Sequence, residues 1–245
     1  MFLLSADYWQ VKKIKGKGRG VFAKKEINPG TVIGDYLGTV ISEQREGQEN
    51  EKSFYAMHCT DKLIVLPDPK QIGIHLINHA CAPNCAMHSY RGHVIYFALR
   101  RIFPGEELTV NYLYDVLLCR AGECREHICR CGALNCRGNL HTPTQLIKMW
   151  EKYEAPYYRP FRNYCPARYG QNLLALDTYP RRIADIRGNE LYGSSQKPPY
   201  VSLAVRLPAV SKVRALIRET GRRIYFKKID FTVNGVSGAL IIGSR

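Results

Sequence analysis

Residues 76–85 read LINHACAPNC, and residues 105–115 read GEELTVNYLYD. These two stretches decide the fold of the chain, although each has an ordinary interpretation by itself. Asn78 and His79 alone are more often a hydrogen-bonded structural pair, and the tyrosines of the second stretch are typical strand aromatics. A third stretch, GKGRGVFA at residues 16–23, by itself favours a turn before a strand. The order of the three stretches along the chain is more informative than any one of them.

A cluster of cysteines follows these stretches. Five of the nine cysteines lie between Cys119 and Cys136, and residues 129–136 read CRCGALNC. The odd number and the clustering argue against the paired disulfides of a secreted protein, and a short knuckle containing glycine is typical of a thiolate-bound metal. Unrelated surface thiols are the alternative, and they are favoured for Cys119 and Cys124. Three thiolates leave a tetrahedral zinc one ligand short, and Cys85 is a candidate for the fourth.

Taken together and in this order, the three stretches and the knuckle strongly resemble the SET-domain protein-lysine N-methyltransferase family with a post-SET zinc knuckle. The resemblance covers residues 11 to about 140. It implies a β-rich α+β fold, a SET fold of small β-sheets with a knot-like core in which residues 105–115 pass beneath the loop that carries Asn78 and His79. It also implies that S-adenosylmethionine binds on one face and that the target lysine enters through a channel from the other.

The resemblance implies roles for three tyrosines. Tyr112 corresponds to the essential active-site tyrosine, and Tyr114 and Tyr36 correspond to residues that line the lysine channel. A packed strand aromatic is the alternative interpretation of Tyr36. These residue types suit the chemistry, because a neutral amine that attacks a sulfonium methyl is guided by oriented hydroxyl and carbonyl dipoles and needs no charged base.

The resemblance also implies the cofactor contacts and the metal ligands. The expected cofactor contacts are Lys17, Gly18, Arg19, Asn78, His79, Tyr112 and Tyr55. The expected ligands of a structural zinc are Cys129, Cys131 and Cys136, with Cys85 as the fourth. Such a closed site of four cysteine ligands would order the lid over the substrate channel. The chain departs from the family at Ala80, where Ser is usual, and at Asn111, where Asp is usual, which bears on cofactor affinity and local hydrogen bonding.

The resemblance, together with the change in character after Leu140, implies three parts: a SET domain at residues 1–115, a post-SET zinc-binding segment at 116–141 and a basic accessory domain at 142–245. The net charge is +15, and residues 142–245 contribute most of it, with 18 basic and 7 acidic side chains. Such a field attracts a polyanion such as nucleic acid, and a solvated face is an equally good interpretation.

The accessory domain is predicted to hold a helix, an irregular segment and a βαββ module. A capping box with proline at the first helical position, at residues 142–145, predicts a helix whose apolar face docks on the main domain; that face is formed by Leu146, Met149, Trp150 and Tyr153. Residues 155–199 show no clean period. Within the module at 200–242, Asn234-Gly235 predicts a hairpin.

The sequence therefore predicts an S-adenosylmethionine-dependent protein-lysine methyltransferase with a histone or nucleosome as its substrate, the histone being inferred by family analogy. The alternatives are a non-catalytic SET-like scaffold that binds nucleic acid or a partner, and a methyltransferase of a non-histone protein. No apolar run approaches the roughly 18 residues of a membrane span, and we expect no membrane partner. We expect an intracellular protein in a reducing compartment, in the nucleus of its own or a host cell, with the cytoplasm as the alternative.

Overall fold

The computed structural model describes residues 1–42, 55–115, 127–133 and 136–187, together with four short strands between residues 225 and 243. In the part up to residue 142 the strands are β1 Trp9–Ile14, β2 Gly18–Ala23, β3 Val32–Asp35, β4 Thr39–Ile41, β5 Met57–His58, β6 Ile64–Leu66, β7 Asn78–His79, β8 Cys85–Tyr90, β9 His93–Ala98, β10 Thr109–Val110, β11 Tyr114–Asp115 and β12 His141–Thr142. Helix α1 Thr144–Tyr158 and the short helix α2 Ala184–Arg187 follow, and 3-10 turns lie at Ile74–Leu76 and Arg159–Phe161.

These strands form several small sheets, as the sequence predicts. Strands β1 and β2 are an antiparallel hairpin, and two three-stranded antiparallel sheets have the orders β3-β9-β8 and β4-β6-β5. The pairs β7–β10 and β11–β12 are parallel. The first of these pairs holds the Asn78-His79 segment against the strand that precedes Tyr112. The knot-like threading of residues 105–115 stays a prediction.

The sheet β3-β9-β8 is buried on both faces, which explains why β9 reads as a continuous apolar run. On one face, alternate residues of β8 and β9, such as Met87 and Tyr96, enter the main core. On the other face, Ile95 and Phe97 pack with Ile183 and are covered by Trp150 of helix α1. The chain beyond residue 142 therefore completes the core of the first part.

Helix α1 docks on this sheet, as predicted, but its buried face is rotated. Trp150 and Tyr153 pack against the core, whereas Met149 is exposed and Ile147 and Glu154 are buried instead. The expected capping box does not form: Pro143 is the N-cap residue and no side chain caps the helix. The hydroxyl of Thr142 is used elsewhere, as described below.

The segment after α1, in which the sequence shows no period, follows the edges of the sheets. Its backbone forms isolated bridges with Thr39 and Thr31, through Asn172 and Arg182. Leu173 and Ile183 are its buried anchors. The division into domains at residue 142 stays a prediction; residues 142–187 are packed and hydrogen-bonded along the preceding part of the chain.

Near the C-terminus, β14 Asp230–Val233 and β15 Val236–Ala239 pair antiparallel with Val233 opposite Val236, which is the register of the hairpin predicted from Asn234-Gly235. Strands β13 Tyr225–Phe226 and β16 Ile242–Gly243 pair in the same sense. The first strand and the helix of the predicted βαββ module, together with Cys119 and Cys124, lie outside the described residues. No helix in the described part of the chain is long and apolar enough to cross a membrane.

Candidate active site and metal centre

A cleft of about 300 Å³ opens where the glycine-containing stretch, the Asn78-His79 strand and the cysteine knuckle meet. Ten residues line it: Gly16, Lys17, Asn78, His79, Tyr112, Ile128, Cys129, Arg130, Cys131 and Leu140. Four of the predicted cofactor contacts, Lys17, Asn78, His79 and Tyr112, are therefore brought together. Three others, Gly18, Arg19 and Tyr55, are not part of the lining.

Glu107 connects two residues that line this cleft, Lys17 and Asn78, although sequence reasoning did not single it out. Its carboxylate accepts hydrogen bonds from Lys17 Nζ at 3.2 Å and from Asn78 Nδ2 at 2.8 Å. Asn78 Nδ2 also donates to the Arg19 carbonyl at 2.9 Å. Because its nitrogen is engaged twice, Asn78 offers its side-chain oxygen to a ligand. The signal for Glu107 was its place in the second quoted stretch, which brings it beside Asn78 through the β7–β10 pair.

The close approach of backbone in this cleft occurs at Gly20 and not at Gly18. A Cβ at Gly20 would lie 2.5 Å from Ile14 Cδ1, 2.8 Å from Asn78 Nδ2 and 2.9 Å from Glu107 Oε1. A Cβ at Gly18 would meet nothing within 4 Å. Glycine is favoured there because the backbone φ is +80°, which residues with a side chain rarely adopt. The Arg19 side chain turns away from the cleft and donates to the carbonyls of Pro69 and Lys70.

His79 stands between Tyr112 and the cysteines. The Tyr112 backbone N–H donates to His79 Nδ1 at 3.2 Å, so the neutral ring carries its proton on Nε2, which lies 3.6 Å from Cys81 Sγ. Burial, followed by the charge of Arg137, lowers the pKa of His79 to about 4. The ring is therefore neutral at neutral pH and presents an N–H to the sulfur.

The three predicted channel tyrosines lie near one another, with two more tyrosines beside them. The Tyr112 and Tyr114 rings are 5.7 Å apart, and the Tyr36 hydroxyl donates to the Tyr55 carbonyl at 2.7 Å. Tyr96, which the sequence did not reveal as special, is fully buried 6.1 Å from the ring of Tyr36. We refer to Tyr36, Tyr55, Tyr96, Tyr112 and Tyr114 as the tyrosine cluster.

Three hydroxyls of this cluster, those of Tyr36, Tyr96 and Tyr112, stay protonated. Burial first, and then neighbouring tyrosines, raises the pKa of Tyr36, Tyr96 and Tyr112 above the ordinary value. For Tyr112 the neighbours are Tyr114 and Tyr55. These three tyrosines therefore present neutral dipoles, and Tyr112 belongs both to the cluster and to the wall of the cleft.

Four cysteine sulfurs converge on one side of the cleft. The Sγ atoms of Cys81, Cys129, Cys131 and Cys136 all lie within 4.8 Å of one another, and those of Cys81 and Cys129 are 3.8 Å apart. Zinc–sulfur bonds of about 2.3 Å in a tetrahedron require sulfurs roughly 3.8 Å apart. Backbone N–H groups of Arg137 and Gly138 point at the sulfurs of Cys81 and Cys136, both at 3.4 Å. This geometry fits a zinc knuckle.

The prediction of Cys85 as the fourth ligand is wrong, because the structure brings Cys81 to the cluster instead. Cys85 begins β8 opposite Ala98, and its side chain is fully buried in the main core. Its thiol contacts the Asn84 side chain at 3.4 Å, and burial raises the pKa of the thiol to about 12. Cys81 precedes the strand, in the loop after β7, where its sulfur reaches the knuckle.

Residues 18–113, which include Asn78, His79 and four of the five tyrosines of the cluster, match the SET domain family model. The chain contains a SET domain. Among similar proteins, the histone-lysine N-methyltransferase ash1 of Drosophila melanogaster is 32% identical over 151 residues, which cover 57% of this chain and 6% of that protein. NSD3 of Mus musculus is 33% identical over 54% of this chain and 10% of its own length, and histone-lysine N-methyltransferase 2B of Homo sapiens is 34% identical over 51% and 5%. The chain thus spans a tenth or less of the length of these relatives.

The SET domain and the segment after it are joined by a buried polar group that sequence reasoning missed. Glu154 of α1 is almost fully buried and receives hydrogen bonds from the Ser89 backbone N–H at 2.9 Å and from Arg187 Nη2 at 2.6 Å. His88 Nδ1 lies 2.9 Å from the same carboxylate. The Arg187 guanidinium is also stacked near the Tyr153 ring, 3.9 Å from its centroid. No periodic signal marks such an arrangement, since each partner comes from a different element.

Proposed function

We propose that this chain is an S-adenosylmethionine-dependent protein-lysine methyltransferase. The observation that carries the proposal is the position of Tyr112, which lines the cleft on one side and belongs to the tyrosine cluster on the other. A cofactor in the cleft and a lysine among the tyrosines would meet at this residue. The histone-lysine methyltransferases among the similar proteins support the same reaction class.

The residues of the cleft fit the cofactor. Lys17, which pairs with Glu107, is a cation for a carboxylate, and Asn78 offers an oxygen to an ammonium group. The lack of a side chain at Gly20 lets Asn78 and Glu107 pack closely against the backbone, which holds Asn78 in place. His79 and Tyr112 hold the wall in place through the hydrogen bond between them. S-adenosylmethionine supplies a methyl group on a positively charged sulfur, which is open to attack by an amine.

The tyrosine cluster would position the lysine. The hydroxyls of Tyr36, Tyr96 and Tyr112 stay neutral, so these hydroxyls and the carbonyls beside them would orient the amine without competing for the methyl group. The neutral amine forms the new nitrogen–carbon bond while the carbon–sulfur bond breaks and its electron pair stays on sulfur. The methylated ammonium that results then loses a proton to solvent. Tyr36, Tyr112 and Tyr114 take the roles of channel residues in this proposal. The neighbouring pair Tyr36–Tyr55 fixes one wall through its 2.7 Å hydrogen bond.

A structural zinc would be held by Cys81, Cys129, Cys131 and Cys136. Four thiolate ligands fill a tetrahedral shell and leave no position for a substrate, so the metal would stabilise the fold and take no part in the reaction. Two of its ligands, Cys129 and Cys131, also line the cleft. Metal binding would therefore order one wall of the cofactor site.

The substrate we propose is a histone, presented as a tail or in a nucleosome, which places the protein in a nucleus. The test is transfer of labelled methyl from S-adenosylmethionine to core histones, nucleosomes and a mixed protein lysate, followed by identification of the labelled amino acid. Labelled lysine in histones supports the proposal. Labelled lysine only in other proteins rejects the histone target, and no label in any acceptor favours the scaffold alternative.

Nucleic acid beside the substrate is the partner we propose for a basic surface formed by Lys62, Arg91, Arg159 and Arg162. All four side chains are exposed. The backbone of Arg162 accepts a hydrogen bond from Asp61 N at 2.8 Å, and the Tyr164 ring packs on Gly92, which brings the turns that carry Lys62 and Arg91 together. Within the described residues none of the four forms a salt bridge. Such a surface suits the DNA of a nucleosome.

The test of this surface is the double variant Arg159→Glu/Arg162→Glu, with Lys24→Glu/Lys25→Glu as a control of equal charge. The slope of log affinity against log salt for a DNA duplex should fall by about 2 in the first variant, since each phosphate contact contributes about 1. Methylation of a free histone peptide should be unchanged. Equal salt slopes of DNA affinity in the two variants would reject this surface as the site of nucleic-acid binding. Deletion of residues 142–245 is a poorer test, because it would uncover Ile95 and Phe97 of the core.

A further inference from the structure

The turn between Tyr112 and Tyr114 has an unusual backbone. Leu113, which joins them, has a φ of +56°, in the left-handed region that a leucine rarely adopts. This conformation determines how the two tyrosine rings are placed relative to each other, 5.7 Å apart. A residue that holds Leu113 in it therefore acts on both tyrosines.

The Asn111 side chain is the group that holds the turn. Asn111 Oδ1 accepts a hydrogen bond from the Leu113 backbone N–H at 2.8 Å, which closes the turn. The same oxygen accepts a second hydrogen bond, at 2.7 Å, from the hydroxyl of Thr142. Asn111 and Thr142 are both buried, so water does not compete with either bond.

The other end of the Asn111 amide does not fix its orientation. Asn111 Nδ2 is buried and has no hydrogen-bond partner within the described part of the chain. Both donors therefore act on the oxygen, and among the described residues the Thr142 hydroxyl is the side-chain group that holds it from outside the turn. A carboxylate at position 111 would accept the same two bonds, so the departure from the usual Asp keeps this function.

Thr142 comes from a distant part of the sequence. It ends β12, which pairs in parallel with β11 so that Tyr114 faces His141 and Asp115 faces Thr142. The cysteine knuckle lies between these two strands in the chain. The hydrogen bond between Thr142 and Asn111 therefore joins the two ends of the segment that contains the knuckle. It connects the residues just before α1 to the turn at Leu113.

We infer that Thr142 is a positioning residue for methyl transfer: its hydroxyl, through Asn111 Oδ1, holds the Leu113 turn and with it Tyr112 and Tyr114. The inference rests on the proposed function, because it assigns the two tyrosines to the reaction. Neither Thr142 nor Asn111 is among the residues that line the cleft. Loss of the Thr142 hydroxyl should therefore lower the rate and leave cofactor binding intact.

The test compares Thr142→Val, which removes the hydroxyl, with Thr142→Ser, which keeps it. In Thr142→Val, kcat should fall about tenfold, since small displacements of positioned groups cost one to two orders of magnitude, while the KM for S-adenosylmethionine stays within twofold. Thr142→Ser should restore most of kcat. An unchanged kcat in Thr142→Val, or a KM that rises by the same factor as kcat falls, would overturn the inference.

Thr60→Val is the matched control for loss of a buried hydroxyl. The Thr60 hydroxyl, also buried, donates to the Tyr164 carbonyl at 2.7 Å and likewise ties a later segment to the core. This variant should lose thermal stability to a similar extent as Thr142→Val but keep its kcat. A comparable loss of kcat in Thr60→Val would mean that Thr142 is merely structural.

Hydrogen exchange of residues 111–115 separates failure of this inference from failure of the proposed function. Exchange of the Leu113 amide should be at least several times faster in Thr142→Val and unchanged in Thr60→Val, whether or not the wild-type protein transfers methyl groups. Faster exchange in a protein without activity would keep the link between Thr142 and the turn and reject the reaction. Unchanged exchange would reject the link itself.

Discussion

His79 accepts a hydrogen bond from the Tyr112 backbone N–H at 3.2 Å, while its other ring nitrogen lies 3.6 Å from Cys81 Sγ. One side chain therefore contacts both Tyr112, which lines the cleft, and a sulfur of the cysteine cluster. Because burial and Arg137 keep the ring neutral, it donates to the sulfur and accepts from the backbone at the same time. The cysteine cluster and the backbone at Tyr112 are thus joined through this ring.

Cys81→Ala and Cys85→Ala should differ in zinc content. Cys81 is one of four converging sulfurs, whereas Cys85 lies in the core at the start of β8. We expect about one zinc per chain in the wild type and in Cys85→Ala, and loss of most zinc in Cys81→Ala, measured by elemental analysis of purified protein. Zinc lost from Cys85→Ala and retained in Cys81→Ala would contradict the assignment.

Gly20→Ala should weaken binding of S-adenosylmethionine at least tenfold. The new methyl group would displace Asn78 Nδ2 and Glu107 Oε1, which are fixed by their hydrogen bond to each other. Titration calorimetry measures the effect, and Gly18→Ala is the control. That variant meets no neighbour but strains a φ of +80°, so it should lose about 1 kcal/mol of stability and bind within a few-fold of wild type. Equal losses of affinity would argue against a special role of Gly20.

The sequence motifs, through the family they resemble, named Lys17, Asn78, His79 and Tyr112 as neighbours, and the structure brings these four together in one cleft. The fourth zinc ligand was not predicted correctly. Cys81 and Cys85 lie in one motif, and only the start of β8 decides which sulfur turns into the core. The segment after α1 was also beyond prediction, because backbone hydrogen bonds to sheet edges hold it and such bonds leave no periodic pattern of apolar residues.

Glu154→Gln should lower the free energy of unfolding by about 3–5 kcal/mol, because it leaves the buried Arg187 guanidinium without its countercharge. Denaturant unfolding measures the change. Glu151→Gln is the control, since Glu151 is an exposed carboxylate on the same helix and its loss should change stability by no more than about 0.5 kcal/mol. Equal effects of the two variants would mean that the Glu154 group does not stabilise the segment.

The protein should lose stability as the pH falls below about 6.5, and His75 should contribute to this loss. Burial, followed by the charges of the N-terminal amino group and Arg19, lowers the pKa of His75 to about 4. In the unfolded chain the ring takes up a proton near pH 6.5, so acid favours unfolding between these two values. We expect His75→Asn to reduce the difference in unfolding free energy between pH 7 and pH 5 by about 2 kcal/mol. His88, whose pKa burial also lowers, leaves part of the slope in place. If the pH dependence of the unfolding free energy were the same in His75→Asn as in the wild type, the contribution of His75 would be contradicted.

The most direct test of the account is methyl transfer by the wild type and by Tyr112→Phe, each shown to bind S-adenosylmethionine and to contain zinc. The account predicts labelled lysine with the wild type and a rate at least about 100-fold lower with the variant, since the lost hydroxyl is part of the oriented dipoles around the amine. Cofactor affinity should change little. Wild-type protein that binds cofactor and zinc but labels no acceptor, or a variant as active as the wild type, would contradict the account.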